Sequence, residues 1–433
     1  MFSQGYRRYA LAILTSVYTV SIADQGLITL LLQPIKEDLR LSDTELGVLA
    51  GVAFGLMYAT LGVPIARWAD RGNRSSIGAM MIGLWGIAMM GCVLVSSFAQ
   101  LIVARMLTAV GEAGAMPPTY SLLGDYFPGA AERTRSMTFY MLANPLSFLL
   151  AFVVGGLLND RYGWRIAFLG VGAPALVLAP LLKMSIREPR GETPASQPIN
   201  AFWSEVKSIS GSLWHQPSAR HLVIGLIFAY TVGLALAPWY GAFMMRIHGT
   251  SVAQLGAYFG AIFGIGGFVG VLLGGYVAER WFVQDERGQM RAVAVVVALL
   301  TPCVALFVLL PGQIPALGAL LVFVLAANFL FGPVFALLQR LVADSARATA
   351  AAVVLLVCNL IGMGVGPQMV GMLSDALAGP AGPYSLRYSM LAISFLALAA
   401  AYHFWKVGTS IDEDLAARQA INVAPYLTES PCP

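Results

Sequence analysis

Charge is what this chain lacks. Charged residues fill 11% of its 433 positions, against about 25% in soluble domains. So little charge excludes an ordinary solvated surface for most of the chain. Cysteine is nearly absent as well. Cys92, Cys303, Cys358 and Cys432 make no C-x-x-C pair, and three of them lie in apolar stretches, which argues against a disulfide framework or a thiolate metal site. The four histidines, His215, His221, His248 and His403, are scattered without ligand spacing. There is no Walker loop, nucleophile elbow or H-E-x-x-H, so ATP hydrolysis, enzyme chemistry and a bound metal or organic cofactor find no site.

Long apolar runs take the place of charge. Apolar residues make up 58% of the chain, and twelve stretches approach the roughly 20 residues that cross a bilayer as helix. They span 9–32, 46–66, 77–96, 98–122, 136–158, 166–185, 220–244, 253–278, 291–311, 315–339, 347–374 and 385–407. The expectation is an all-α membrane protein of twelve transmembrane helices in two six-helix bundles. Arg7 and Arg8 precede a full-length segment with no evident cleavage site, so segment 1 is expected to be retained. With the amino terminus inside, nineteen Lys and Arg fall on inner loops and tails. Six fall outside: Lys36, Arg40, Arg161, Arg165, Arg246 and Arg387. That bias places both termini in the cytoplasm. The net charge of +4 then reflects the inner leaflet and requires no nucleic-acid partner.

One pattern recurs four times. A small residue, three spacers and an acid close segments 2, 5, 8 and 11, as Ala66 to Asp70, Gly156 to Asp160, Gly275 to Glu279 and Gly371 to Asp375. The first three acids are followed by Arg71, Arg161 and Arg280. Small residues let membrane helices approach closely, and the acid one turn on sits where the helix meets water. A period of three segments marks a carrier built from three-helix repeats. The longest polar interval divides the chain into an N-terminal bundle (1–186), a linker (187–219), a C-terminal bundle (220–408) and a tail (409–433). Within the linker Phe202, Val206, Ile209 and Leu213 recur at helical spacing, flanked by Trp203 and Trp214, which predicts an amphipathic helix on the inner membrane face.

The motifs resemble those of the major facilitator superfamily over essentially the whole chain. Asp70-Arg71-Gly72-Asn73-Arg74 is similar to that superfamily's cytoplasmic loop motif, departing from it at Ala66 and Asn73, where glycine is usual. The resemblance implies a gating role for Asp70, Arg71 and Arg74, with Glu279 and Arg280 as the weaker counterpart in the second half. Within the superfamily the chain resembles the Spinster-like group. Val110-Gly111-Glu112-Ala113-Gly114-Ala115-Met116-Pro117-Pro118, Gly124-Asp125-Tyr126-Phe127-Pro128, Gly163-Trp164-Arg165-Ile166-Ala167-Phe168 and Gln33-Pro34-Ile35-Lys36 carry that likeness. It departs after Asp24, where the group usually has arginine and this chain has Gln25.

Ionisable side chains at bilayer depth are costly and mark function. The first half has three, Asp24, Arg105 and Glu112; the second half has none that is plainly intramembrane. Asp24 lies ~12 Å and Arg105 ~10 Å below the outer ends of segments 1 and 4, at 1.5 Å per residue. The resemblance implies that segments 1, 4, 7 and 10 line one cavity, which makes Asp24 and Arg105 expected partners. Glu112, seven residues after Arg105, shares its helix face. Burial favours the neutral form of an acid, so Glu112, with Asp24, is expected to carry the coupling proton. Arg105, with its planar fork, is expected to grip an anionic headgroup beside Gln25. In the other half Tyr230, Asn328, Phe331 and Asn359 are candidate cavity residues, and Trp239 and Tyr240 are expected as interface anchors.

The residues alone describe a carrier of an amphipathic or organic anion, using protons and no other cofactor. The resemblance implies a lysophospholipid or a sphingoid-type lipid. The chain is expected to work by alternating access as a multi-pass monomer of the plasma (inner) membrane, among membrane lipids. Two alternatives stand beside this: an exporter of drugs or small organic anions, and a non-transporting sensor that keeps the carrier fold.

Overall fold

A computed structural model describes residues 2–189, 199–282, 285–342 and 346–427. Every regular element among them is helical. Eleven helices are long and apolar enough to cross a membrane: α1 (Gln4–Leu39), α2 (Asp43–Ala69), α3 (Arg74–Leu94), α5 (Arg135–Tyr162), α6 (Trp164–Ser185), α7 (Pro217–Leu236), α8 (Val252–Trp281), α9 (Glu286–Leu309), α10 (Gln313–Leu341), α11 (Thr349–Ala376) and α12 (Ala378–Ala416). The twelfth, α4 (Phe98–Tyr126), runs for 29 residues and carries Arg105 and Glu112, which lower its hydropathy. All twelve expected segments are thus helices.

Local chemistry sets the helix ends. The Ser42 side chain accepts the Glu45 N–H while Glu45 reaches back, a capping box that starts α2. Ser251 and Gln254 start α8 in the same way. Between α5 and α6, Gly163 adopts a φ of +85°, a conformation that favours glycine. Mid-helix irregularities are equally systematic. α1 breaks at Ile22 and α2 at Gly51. α5, α8 and α11 each widen into a π-type turn, at Leu150–Val154, Gly260–Gly266 and Leu360–Val365. Such turns are uncommon and cluster where helices do work. Here they fall in the helices through which the halves meet: α5 against α8, and α2 against α11.

Both termini lie at one end of the bundle. Tyr6 packs on Tyr126 at the end of α4 and donates to the Ser185 carbonyl at the end of α6. Near the other terminus Asp414 accepts the Ser218 N–H at the start of α7. The linker forms a helix, Ile199–His215. Its Ile209 and Leu213 are buried, its Trp203 and Trp214 exposed, and Glu205 accepts a bond from Thr349 of α11. The side chain of Phe202 lies outside the described residues.

Candidate functional site

The break at Ile22 gives α1 a fresh helical start in mid-membrane, and Asp24 lies in its first turn. An acid there meets the positive end of the helix dipole. Its Oδ2 accepts from Arg105 Nη1 of α4 at 2.6 Å, with the two side chains 0% and 2% exposed. The guanidinium also lies over the Phe54 ring of α2, 5.0 Å from its centroid. Glu112, 3% exposed, accepts at Oε1 from Gln25 Nε2 at 2.6 Å. Glutamine at the position where the group usually has arginine is therefore the partner of the buried acid.

Asp24 also lies within electrostatic reach of Glu112. Asp24 Oδ1 and Glu112 Oε2 are buried without a hydrogen-bond partner in the structure. Buried polar atoms are rarely left so, and one proton held between the two carboxyl groups would serve both. Two acids and one guanidinium are neutral together when they hold one proton.

The second-half candidates divide. Tyr230 meets Phe331 edge-on with centroids 5.5 Å apart, and Asn359 is half-buried where α11 widens. Asn328 is half-buried: its Nδ2 donates to the Val324 carbonyl of its own helix at 2.8 Å, and its Cβ abuts Gly270 of α8. Trp239 and Tyr240 are 0% and 1% exposed, so neither is an interface anchor. Trp239 donates to the Pro367 carbonyl, and Tyr240 packs among Phe263, Phe307 and Phe323. Aromatic residues near the end of an apolar run fit an anchor and a core equally well. His221 and His403, scattered in the sequence, meet Nδ1 to Nδ1 at 2.8 Å between α7 and α12.

The end away from the termini is latched by residues the site reading passed over. Asp43, 3% exposed, accepts from Lys36 Nζ at 2.5 Å, from both Arg246 Nη atoms at 2.8 Å and from Ser374 Oγ at 2.6 Å. Arg246 Nε donates to Gln33 at 2.6 Å. Lys36 and Gln33 belong to the first half, Arg246 and Ser374 to the second. Two of the four repeated acids close the same end. Asp375 accepts the N–H groups of Asp43 and Thr44 at 3.1 and 2.7 Å, capping α2 from the opposite half. Asp160 accepts the Ala253 N–H at 3.2 Å, capping α8 likewise. The small residues of those copies make the approach fit: a Cβ on Gly371 would lie 2.2 Å from the Asp43 carbonyl oxygen, and one on Gly156 3.1 Å from that of Val252.

At the termini end the third copy is placed differently. A Cβ on Gly275 would meet nothing within 4 Å, and Glu279 and Arg280 are exposed. The ion pair at that corner joins Arg340 to Glu286. Arg71 is exposed, and the side chain of Asp70 lies outside the described residues. Arg74, 1% exposed, bonds Asp125 at 2.7 Å, Ser121 at 2.8 Å and Glu188. It therefore ties the ends of α3, α4 and α6 inside the first half.

Residues 14–367 match the family model of the Major Facilitator Superfamily, and the chain belongs to that superfamily of carriers. It is 33% identical over 412 residues to an MFS-type efflux pump of Mycolicibacterium smegmatis, covering 94% of each chain. It is 27% identical over 433 residues to protein spinster homolog 1 of Xenopus tropicalis, covering 93% of this chain and 80% of that protein. Among solved structures it superposes on a bacterial homolog of the human lysosomal transporter Spinster in an inward-facing, unoccupied conformation. The TM-score is 0.82 at 27% identity, over 95% of this chain and 99% of that one. The chain is a Spinster-like multi-pass membrane transporter and not an enzyme.

Proposed function

We propose that the protein is a proton-coupled secondary transporter of an amphipathic anion, a lysophospholipid or sphingoid-type lipid, working by alternating access. The observation that carries this reading is the buried cluster of Asp24, Gln25, Arg105 and Glu112. Its one guanidinium is clamped by one acid while a second acid waits beside it. When the shared proton moves onto Asp24, that carboxyl becomes neutral and loosens its hold, and Arg105 turns to the anionic head of the substrate. When the proton leaves, Asp24 reclaims Arg105 and the head is released. Tyr230, Phe331 and Asn359 offer the apolar tail an aromatic and amide wall.

Gating fits the fourfold repeat. The structure is read as the state sealed at the far end and open toward the termini, which the lysine and arginine bias assigns to the cytoplasm. In the opposite state Asp70, flanked by Arg71, and Glu279, flanked by Arg280, would take up caps like those that Asp160 and Asp375 make here. Arg74 anchors the first half while this happens. The carrier acts as a monomer in the plasma membrane.

The likeness to a mycobacterial efflux pump favours one second reading, export of drugs or small organic anions through the same cluster. Uptake of a labelled lysophospholipid into proteoliposomes, with and without an imposed pH gradient, separates them. Gradient-driven uptake that Glu112→Gln loses is expected. Gradient-driven uptake that survives the mutation moves the proton to Asp24. No lipid movement, in vesicles that do transport an organic anion, overturns the lipid assignment.

A further inference from the structure

His221 of α7 and His403 of α12 take no part in the buried cluster. Their Nδ1 atoms lie 2.8 Å apart, so one nitrogen donates and the other accepts. A neutral pair then has a single Nε2–H, on the accepting ring. Adding one proton keeps the bond between the rings, makes the second Nε2 a donor and gives the pair one positive charge. A further proton would set N–H against N–H and break the bond. Both rings are half-buried. Among the described residues neither Nε2 has a hydrogen-bond partner, and both reach the surface.

Cations surround this pair. Arg220 precedes His221, and Lys406 follows His403 by three residues on the same helix face. Lys406 Nζ sits over the Tyr402 ring, 5.8 Å from its centroid, and that ring meets His403 edge-on at 5.4 Å. Arg220 and Lys406 both lie within electrostatic reach of His221. Arg291 of α9 lies over the Trp405 ring at 5.2 Å, with its Nε buried and unpartnered. The acids of α12, Asp412, Glu413 and Asp414, begin six residues beyond Lys406, and Asp414 accepts the Ser218 N–H. Along α12 Phe395, Leu398, Tyr402 and Trp405 are exposed, at spacings of three and four that fall on one face. That face runs from apolar, through two aromatic residues of the kind that settle at a membrane surface, to Lys406. It is the order a lipid presents from tail to head.

We propose that His221, His403, Arg220 and Lys406 form a binding site for the phosphate head of an anionic membrane lipid, whose acyl chains lie along the exposed face of α12. Arginine and lysine at a membrane surface attract such lipids. The histidine pair adds directed donors: a phosphate oxygen favours the state in which both Nε2 atoms carry hydrogen. Lipid binding is therefore linked to uptake of one proton from water by the pair, with the Nδ1 to Nδ1 bond kept. The site is separate from the cargo, and it requires neither a lipid substrate nor a proton on Glu112.

The full chain, isotope-labelled in its four histidines, can be titrated by NMR in nanodiscs of phosphatidylcholine, with and without phosphatidylglycerol. His403→Asn assigns the signals of the pair. His215, exposed at the end of the linker helix, reports the general surface potential of the anionic bilayer. Phosphatidylglycerol should make the pair hold its proton about tenfold more tightly than the change at His215 accounts for. Arg220→Gln with Lys406→Gln should remove that excess, and each change alone should reduce it, which keeps the test open if the double variant does not fold. An equal change at the pair and at His215, or an excess that survives these variants, overturns the site. The same excess produced by inorganic phosphate in phosphatidylcholine discs overturns the lipid assignment in favour of a free anion.

Discussion

The two ends of this carrier hold the same sequence device in two different conditions. At the far end Gly371 and Gly156 press against the opposite half, and Asp375 and Asp160 cap its helices. At the termini end Gly275 faces open space and Glu279 is exposed. The far end alone adds the Asp43 latch, fed by cations from both halves. The contrast shows that a repeated motif need not act everywhere at once.

The largest blow to that asymmetry falls on Asp43. Asp43→Leu strands Arg246, whose side chain is 16% exposed. Removing one partner of a buried pair costs about 3–5 kcal/mol, so even the lower figure moves the closed-to-open balance about a hundredfold. A cysteine at Thr29, whose carbonyl packs on Gly241, should then react with an impermeant maleimide from the far side. Continued protection would show that the latch is incidental. Next come the caps. Asp375→Ala and Asp160→Ala should each cost ~0.5–2 kcal/mol, the range for cap loss. Asp375 should cost more, since it accepts two N–H groups and Asp160 one. The same labelling assay ranks them, and the pair should add because they bridge different helices. Glu279→Gln should act in the opposite direction, partly restoring far-end closure in the Asp375→Ala background. A shift in the same direction would break the proposed symmetry between the ends. Smallest is Arg280→Gln, an exposed change expected to stay within ~0.5 kcal/mol in thermal unfolding.

Much of the site could be read from residue order. Depth arithmetic paired Asp24 with Arg105, because rise per residue is fixed once segment ends are known. Gln25 stands out in the sequence as a departure, but only the structure shows its Nε2 on Glu112. The latch was missed for a physical reason. In the sequence Lys36 and Arg246 count as outer-loop charge, and nothing in linear order shows that α1 and the helix Trp239–His248 bring them to one acid. A signal did exist at Asp375 and Asp160, already marked by the repeat, but their partners are backbone N–H groups that a sequence does not display. A polar residue in mid-segment such as Asn328 suggests a cavity, and the sequence does not display that its amide donates to its own helix. Gly51 of α2 packs on the Gly364 carbonyl of α11, and the π-type turns fall in helices through which the halves meet, contacts that local propensity does not encode.

The central claim is that a proton on the buried pair sets which end is closed. Spin labels placed across the two halves, one pair at each end, would report that directly as pH is varied in wild type and Glu112→Gln. The account requires the wild-type distances at the two ends to exchange with pH, and the Gln variant, fixed in the neutral form, to stay at the low-pH distribution. A variant whose distances follow pH as wild type does would contradict it.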